Sequence, residues 1–207
     1  MRLGYFGSSS TLLQRFNTFH LGIGLPRFFM ESLQQSPFWD GSAGVVLLAI
    51  DGPAGAGKTT LAAKLEAEYS AHSTVRTVHM DDLYNGWENA LSNALMEILD
   101  RITSAHLAGR ACTIKIFNWH LMKFDREEII APTDYLIIEG VGAAQAIVRE
   151  AGAITYWLDI DSETGLQRVL ARDGAHLEKE MRQWQIQQSI HFDTDQTREN
   201  CEFKLTS

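Results

Sequence analysis

From about residue 45 onward, apolar residues fall into two alternating rhythms. Val45–Ile50 is an unbroken apolar run, the signature of a buried strand. Leu61, Leu65 and Tyr69 share one face of a helix over Thr59–Tyr69. Val75–Met80 reads as a second strand. Trp87, Leu91, Leu95, Ile98 and Ile102 recur at helical spacing and predict a long amphipathic helix. Cys112, Ile114 and Ile116 alternate, as a strand does. Tyr135–Ile138 and Ile154–Ile160 are further strands, with a helical stretch around Ala143–Glu150 between them. Asp161 is placed to cap a helix running to about Arg172. Leu177–Phe192 reads as helix and Cys201–Leu205 as a last strand. This alternation predicts an α/β fold: a mostly parallel sheet between two helical layers, a three-layer sandwich.

Residues 1–40 follow another pattern, rich in Phe and Leu and poor in charge. Leu12, Leu13, Phe16 and Phe19 fall at helical spacing, and Pro26 is placed to open a second short helix through Phe28 and Leu33. The expectation is an N-terminal helical or mobile extension, joined through Asp40–Gly44 to a main domain over 41–207.

Charge narrows the partners. A formal net charge of −8 disfavours nucleic acid and acidic membranes as partners, while leaving room for a local basic pocket. Cys112 and Cys201 lack paired spacing and suggest reduced thiols. No apolar stretch is long enough to span a bilayer, and residues 21–30 lack the features of a secretory leader. A cytoplasmic protein is expected; a homo-oligomer stays open.

Between the first strand and the first helix stands Gly52, Pro53, Ala54, Gly55, Ala56, Gly57, Lys58, Thr59, Thr60, which satisfies the G-x-x-x-x-G-K-[ST] pattern in its required strand–turn–helix context. Glycines let a backbone curl tightly and approach a polyphosphate with several N–H donors. The helix beginning near Lys58 offers a positive dipole end. Lys58 suits the β- and γ-phosphates and the Thr59 hydroxyl suits Mg²⁺. Thr60 suits helix packing or an α-phosphate contact. The loop predicts a P-loop NTPase fold that binds ATP with Mg²⁺. A guanine-reading N-K-x-D and a transporter-type L-S-G-G-Q are both absent from the chain.

Acids follow at two strand ends, where ligands of such sheets sit. Asp81 and Asp82 follow the second strand; Asp81 is the candidate base for a substrate hydroxyl and a candidate metal ligand, while one of the two could instead cap the next helix. Glu139 ends the strand Tyr135–Ile138 in a Walker B arrangement and is a candidate for the Mg²⁺ shell. Tyr84 and Trp87 are candidates to wall an acceptor pocket, with a core position equally open to Trp87. Arg168, Arg172 and Arg182 sit where a short lid, about residues 172–185, could bring charge to a transferring phosphoryl group.

With "GPAGAGKTT", "DDLY", "IIEG" and "RVLARD" in hand, the chain resembles the uridine kinase/phosphoribulokinase-like group of P-loop kinases from about Val45 to its C-terminus. The resemblance implies a general base at Asp81, lid arginines at Arg168 and Arg172, and the strand glutamate at Glu139. It also implies phosphorylation of a hydroxyl on a small metabolite, a nucleoside such as uridine or a similar acceptor. Where that group carries tyrosine-aspartate-phenylalanine followed by histidine and arginine, this chain has "IFNWHLMKFDREE". Trp119 and His120 are the candidates there to face an acceptor, and Arg126 to contact an anionic one. Two other readings remain: a nucleoside monophosphate or dephospho-coenzyme A type kinase, for which Lys115, Lys123 and Arg126 are the nearby cations, and a non-catalytic nucleotide-binding regulatory module.

Overall fold

The computed structural model describes residues 44–206. The expected helices and linker of residues 1–43 lie outside that span. The central strand is β1 (Val46–Asp51), whose Leu47, Leu48, Ala49 and Ile50 are all buried. Consecutive buried residues mean that both faces of the strand are covered, as in the parallel sheets of α/β proteins. Helix α1 (Lys58–Tyr69) carries the chain to β2 (Val75–His79). That crossover leaves room for β5 (Tyr135–Glu139), which inserts between β1 and β2. The chain then turns through the short α3 (Ala146–Glu150) to β6 (Ile154–Asp159) on the other side of β1. Helix α4 (Ser162–Asp173), a tight turn, α5 (Glu178–Asp195) and α6 (Thr197–Asn200) lead to the edge strand β7 (Phe203–Thr206). The sheet order is β2-β5-β1-β6-β7, and every neighbouring pair is parallel. Because the chain leaves β1 toward β2 first and reaches β6 later, a crevice opens beyond the carboxyl end of β1.

The long helix α2 (Asn93–Leu107) buries Leu95, Leu99, Ile102 and Ala105 against the sheet. It begins later than the periodicity of Trp87 and Leu91 suggests. Gly86 at φ +70° breaks the helical path, and Ser92 in an extended conformation restarts it. Trp87 and Leu91 therefore belong to a turn.

The strand expected around Cys112–Ile116 exists, but not in the main sheet. β3 (Cys112–Asn118) pairs antiparallel with β4 (Lys123–Ile130) as a separate hairpin. Its in-out burial from Cys112 to Ile116 marks a half-covered ribbon, unlike the continuous apolar runs of β1 and β5. β4, with the sequence KFDREEII, is so charged and so exposed that no apolar alternation marks it as a strand. A register shift between Ile116 and Phe117 bends the hairpin.

Helix α4 is held against the Gly52–Gly57 loop by small residues on both sides. A Cβ on Gly165 would lie 2.5 Å from the Ala54 carbonyl oxygen, and one on Gly55 would lie 2.3 Å from the Gly165 carbonyl oxygen. Two backbones meet there with no room for a methyl group. Alanine normally stabilises a helix interior by about 1 kcal/mol over glycine. Here Gly165→Ala is expected to do the reverse, lowering stability by about 1–3 kcal/mol through overpacking. Thermal unfolding of the two proteins checks this; an unchanged or higher midpoint contradicts the close approach.

Candidate functional site

Strand register assembles the site. Glu139 lies opposite Ile50 on β1 and opposite His79 on β2. Three parallel strands thus end on one level. The Gly52–Gly57 loop follows the first, Asp81 the second, and Glu139 ends the third. Asp81 lies in a single 3-10 turn, Met80–Asp82, directly after β2.

Gly57, at φ +90°, precedes α1, whose first turn carries no acidic residue and no side-chain cap. By contrast, α4 is capped by Asp161, which accepts from the amides of Glu163 and Thr164 at 3.1 and 3.0 Å. The positive end of α1 is left for an anion. Lys58 is buried beside it; its ammonium donates to the carbonyls of Gly52 and Pro53 at 2.7 and 2.8 Å. Desolvation pulls its pKa below the ordinary lysine value, opposed by the charges of Asp51, Glu139 and Asp81.

Asp51, the last residue of β1, holds the loop in place. One carboxylate oxygen accepts from the amides of Gly52 at 2.7 Å and Gly142 at 3.0 Å, and the other from Ala144 at 2.8 Å. Its side chain is fully buried, and burial pushes its pKa up against these amides and Lys58. On the opposite side, the Ala54 amide donates to the buried Gln188 carbonyl at 3.1 Å, tying the loop to α5.

The oxygen-rich centre lies next to this loop. The Thr59 hydroxyl donates to Glu139 Oε1 at 3.1 Å, and His79 Nδ1 shares the same oxygen at 2.6 Å. The Glu139 hydrogen bond raises the pKa of His79. Asp81 stands in a crowded crevice, though its side chain is open to water. Crowding pushes its pKa up first, Glu139 adds to this, and Lys58 and Arg172 oppose it. A hydroxyl and a carboxylate oxygen side by side suit a hard cation such as Mg²⁺, which binds through one or two carboxylates together with substrate phosphates. Among the described residues, no three His, Cys, Asp or Glu side chains gather into a metal cage of their own.

The arginines divide. Arg168 donates to the Gly55 carbonyl at 3.3 Å. Arg172 pairs with Asp173 through two hydrogen bonds of 2.7 Å, and its charge reaches both Lys58 and Asp81. Arg182 pairs with Glu178 at 2.8 Å and Glu163 at 3.5 Å on an exposed helix face. The stretch 172–185 forms the end of α4, a 3-10 turn (Ala175–Leu177) and the first turns of α5.

Aromatic residues line a neighbouring hollow of about 350 Å³, walled by Trp87, Phe117, Met122 and Trp184. Trp119 connects it to Asp81: its indole N–H donates to the Asp81 carbonyl at 2.9 Å, and its ring lies 5.0 Å from Trp87. Tyr84 is buried behind the hollow. Its hydroxyl donates to the Val141 carbonyl at 2.7 Å and its ring tilts onto Trp184, so it supports this region from within. His120 is exposed at the hairpin tip, with its amide bonded to Asn118. Arg126 is exposed on β4, and its charge reaches Asp82.

Register thus brings together Lys58, Thr59, Asp81 and Glu139. The pattern reading missed Asp51, His79, Trp184 and Gln188. Asp51 carried the same signal as Glu139, an acid at the end of a buried strand. His79 shared the Asp81 segment, whereas Gln188 and Trp184 had no local signal, because only the fold returns α5 to the loop.

Solved structures share this architecture. A protein from Bacillus stearothermophilus described as a possible uridine kinase matches with a TM-score of 0.60, over 86% of this chain and 95% of that chain, at 17% identity. A candidate fructose transport system kinase from a Silicibacter species matches with a TM-score of 0.60, over 88% and 99% of the two chains, at 18% identity. No protein-family model matches the chain, and no curated protein matches its sequence. The likeness shows the fold: the α/β arrangement of a mostly parallel five-stranded sheet is shared with these proteins. Among the described residues, no helix is long and apolar enough to cross a membrane.

Asp51→Ala removes the acceptor of three buried amides, each worth about 1–3 kcal/mol when orphaned. Urea unfolding is expected to show a loss of at least about 3 kcal/mol. A loss below about 1 kcal/mol contradicts the clamp role.

Proposed function

We propose that this protein is an ATP- and Mg²⁺-dependent kinase that phosphorylates a hydroxyl on a small metabolite. One observation carries the reading. A buried lysine in a P-loop, a Thr59–Glu139 oxygen pair and Asp81 in its crowded crevice converge at the carboxyl ends of three adjacent parallel strands. The shared fold agrees with it.

Each residue has a defined task. The loop amides, the N-terminus of α1 and Lys58 bind the phosphate tail. Thr59 and Glu139 would hold Mg²⁺, with Asp81 beside them as a further candidate ligand, and the ion would supply charge neutralisation for the phosphates. His79 fixes the orientation of Glu139 through the shared oxygen. Asp81 accepts the hydroxyl proton of the acceptor as the hydroxyl oxygen bonds to the terminal phosphorus, and the bond from that phosphorus to the bridging oxygen breaks to release ADP. A raised carboxyl pKa brings Asp81 closer to the working range of a base. Arg172 and Arg168 stabilise charge on the transferring group.

The acceptor occupies the aromatic hollow beside Asp81. A nucleoside such as uridine is one acceptor of this kind, and other hydroxylated metabolites fit the same framework. A role in the cytoplasm accords with the buried free thiols Cys112 and Cys201.

Phosphoryl transfer from ATP across a panel of nucleosides, sugars and pantothenate tests the reading. With the acceptor so found, Asp81→Asn is expected to lower kcat by about 10²–10⁴-fold. The KM for ATP should stay within about threefold, since Asp81 acts on the acceptor. Near-normal kcat in this variant would remove the base from Asp81, and transfer to none of the panel would oppose the kinase reading.

A further inference from the structure

The charge around the aromatic hollow speaks to its ligand. Trp87 and Trp184 meet edge to face with ring centroids 6.0 Å apart, and Phe117 and Met122 complete the apolar surface. Glu88 comes from the turn after Asp81 and Glu180 from the first turn of α5. The other liners are a glycine and the primary amides of asparagine and glutamine. Among the described residues, none of the liners is lysine, arginine or histidine. Arg182, on the same helix, is turned to Glu178 and Glu163. The hollow therefore offers aromatic rings and negative charge, with amides able to donate or accept.

We propose that the acceptor bound here carries a positively charged or strongly electron-poor planar group at the end remote from its reacting hydroxyl. Indole faces attract cations, and more strongly as water is excluded. Carboxylates from two directions add to that attraction and repel an anion. A volume of about 350 Å³ admits one ring with a short hydroxylated arm. Trp119 touches Trp87 and donates to the Asp81 backbone, so the Asp81 segment adjoins the hollow, and on the kinase reading the arm runs to that side. The same lining disfavours an acceptor whose distal end is a phosphate or carboxylate, and thereby the nucleoside monophosphate alternative. The inference rests on the kinase reading of the Asp81 site for the direction of the arm, and on the hollow alone for the charge.

N-hydroxyethylpyridinium and phenethyl alcohol, of nearly equal shape, separate these points together with para-hydroxyethylbenzoate, which is read against its neutral carboxamide as the size control. Binding is read by quenching of tryptophan fluorescence and by calorimetry, neither of which needs turnover. The pyridinium is expected to bind at least about tenfold more tightly than the neutral phenyl compound. The benzoate should bind more weakly than its carboxamide. The Glu88→Gln, Glu180→Gln double variant, altered only at exposed or half-buried positions, should bring the pyridinium to within about threefold of the phenyl compound. Trp87→Leu should weaken the pyridinium more than the phenyl compound. Equal binding of the pyridinium and phenyl compounds, a preference for the benzoate over its carboxamide, or no binding of any overturns the inference. Phosphoryl transfer is measured in parallel. The charge preference without transfer to any alcohol would count against the kinase reading alone. Transfer that favours the benzoate would sustain the kinase reading and overturn the inference.

Discussion

The site depends on one buried carboxylate. Asp51 ends the central strand, and its two oxygens accept from amides on both sides of the crevice, Gly52 in the P-loop and Gly142 and Ala144 beyond β5. A charge buried this deeply is costly unless it is well paired. Here three amides and the nearby Lys58 offset part of the cost. The loop that must present donors to a phosphate chain is thereby fixed to the strand that carries Glu139. An anion-binding loop without such an anchor loses binding energy to its own ordering.

From that anchor the rest follows by register. Parallel pairing of β2, β5 and β1 sets His79, Glu139 and Ile50 on one level, so short loops after each strand deliver Asp81, Glu139 and the P-loop to one crevice. Gly165 and Gly55 let α4 approach the loop backbone, and Gln188 ties α5 to Ala54. Helix α5 thus touches the phosphate loop at Gln188 and the aromatic hollow at Trp184 and Glu180. The glycine-rich loop and the aromatic hollow thus share one helix, a physical connection between the two.

The strands of the sheet were legible because buried parallel strands are continuous apolar runs. Val46–Asp51 and Tyr135–Glu139 have that form. The P-loop was legible because its chemistry requires glycine, lysine and threonine at fixed spacing. The hairpin was half legible: β3 alternates, but β4 is charged and exposed, so no local pattern marked it. The start of α2 was misplaced because Trp87 and Leu91 keep the helical rhythm while serving a turn closed by Gly86. Asp51 was visible in the sequence, but its role depends on loop amides about 90 residues later, at separations of 91 and 93. Tyr84 shows the converse. Its place after Asp81 suggested a pocket wall, whereas its hydroxyl is committed to Val141 in the interior.

The claim on which all of this turns is that the cradle around Lys58 grips a polyphosphate. Calorimetric titration of a non-hydrolysable ATP analogue with magnesium into the protein measures that directly. The account predicts a single saturable site, weakened at least about tenfold by Lys58→Ala through loss of a charge-assisted contact. No binding heat from the unaltered protein, or equal affinity in the variant, would contradict it.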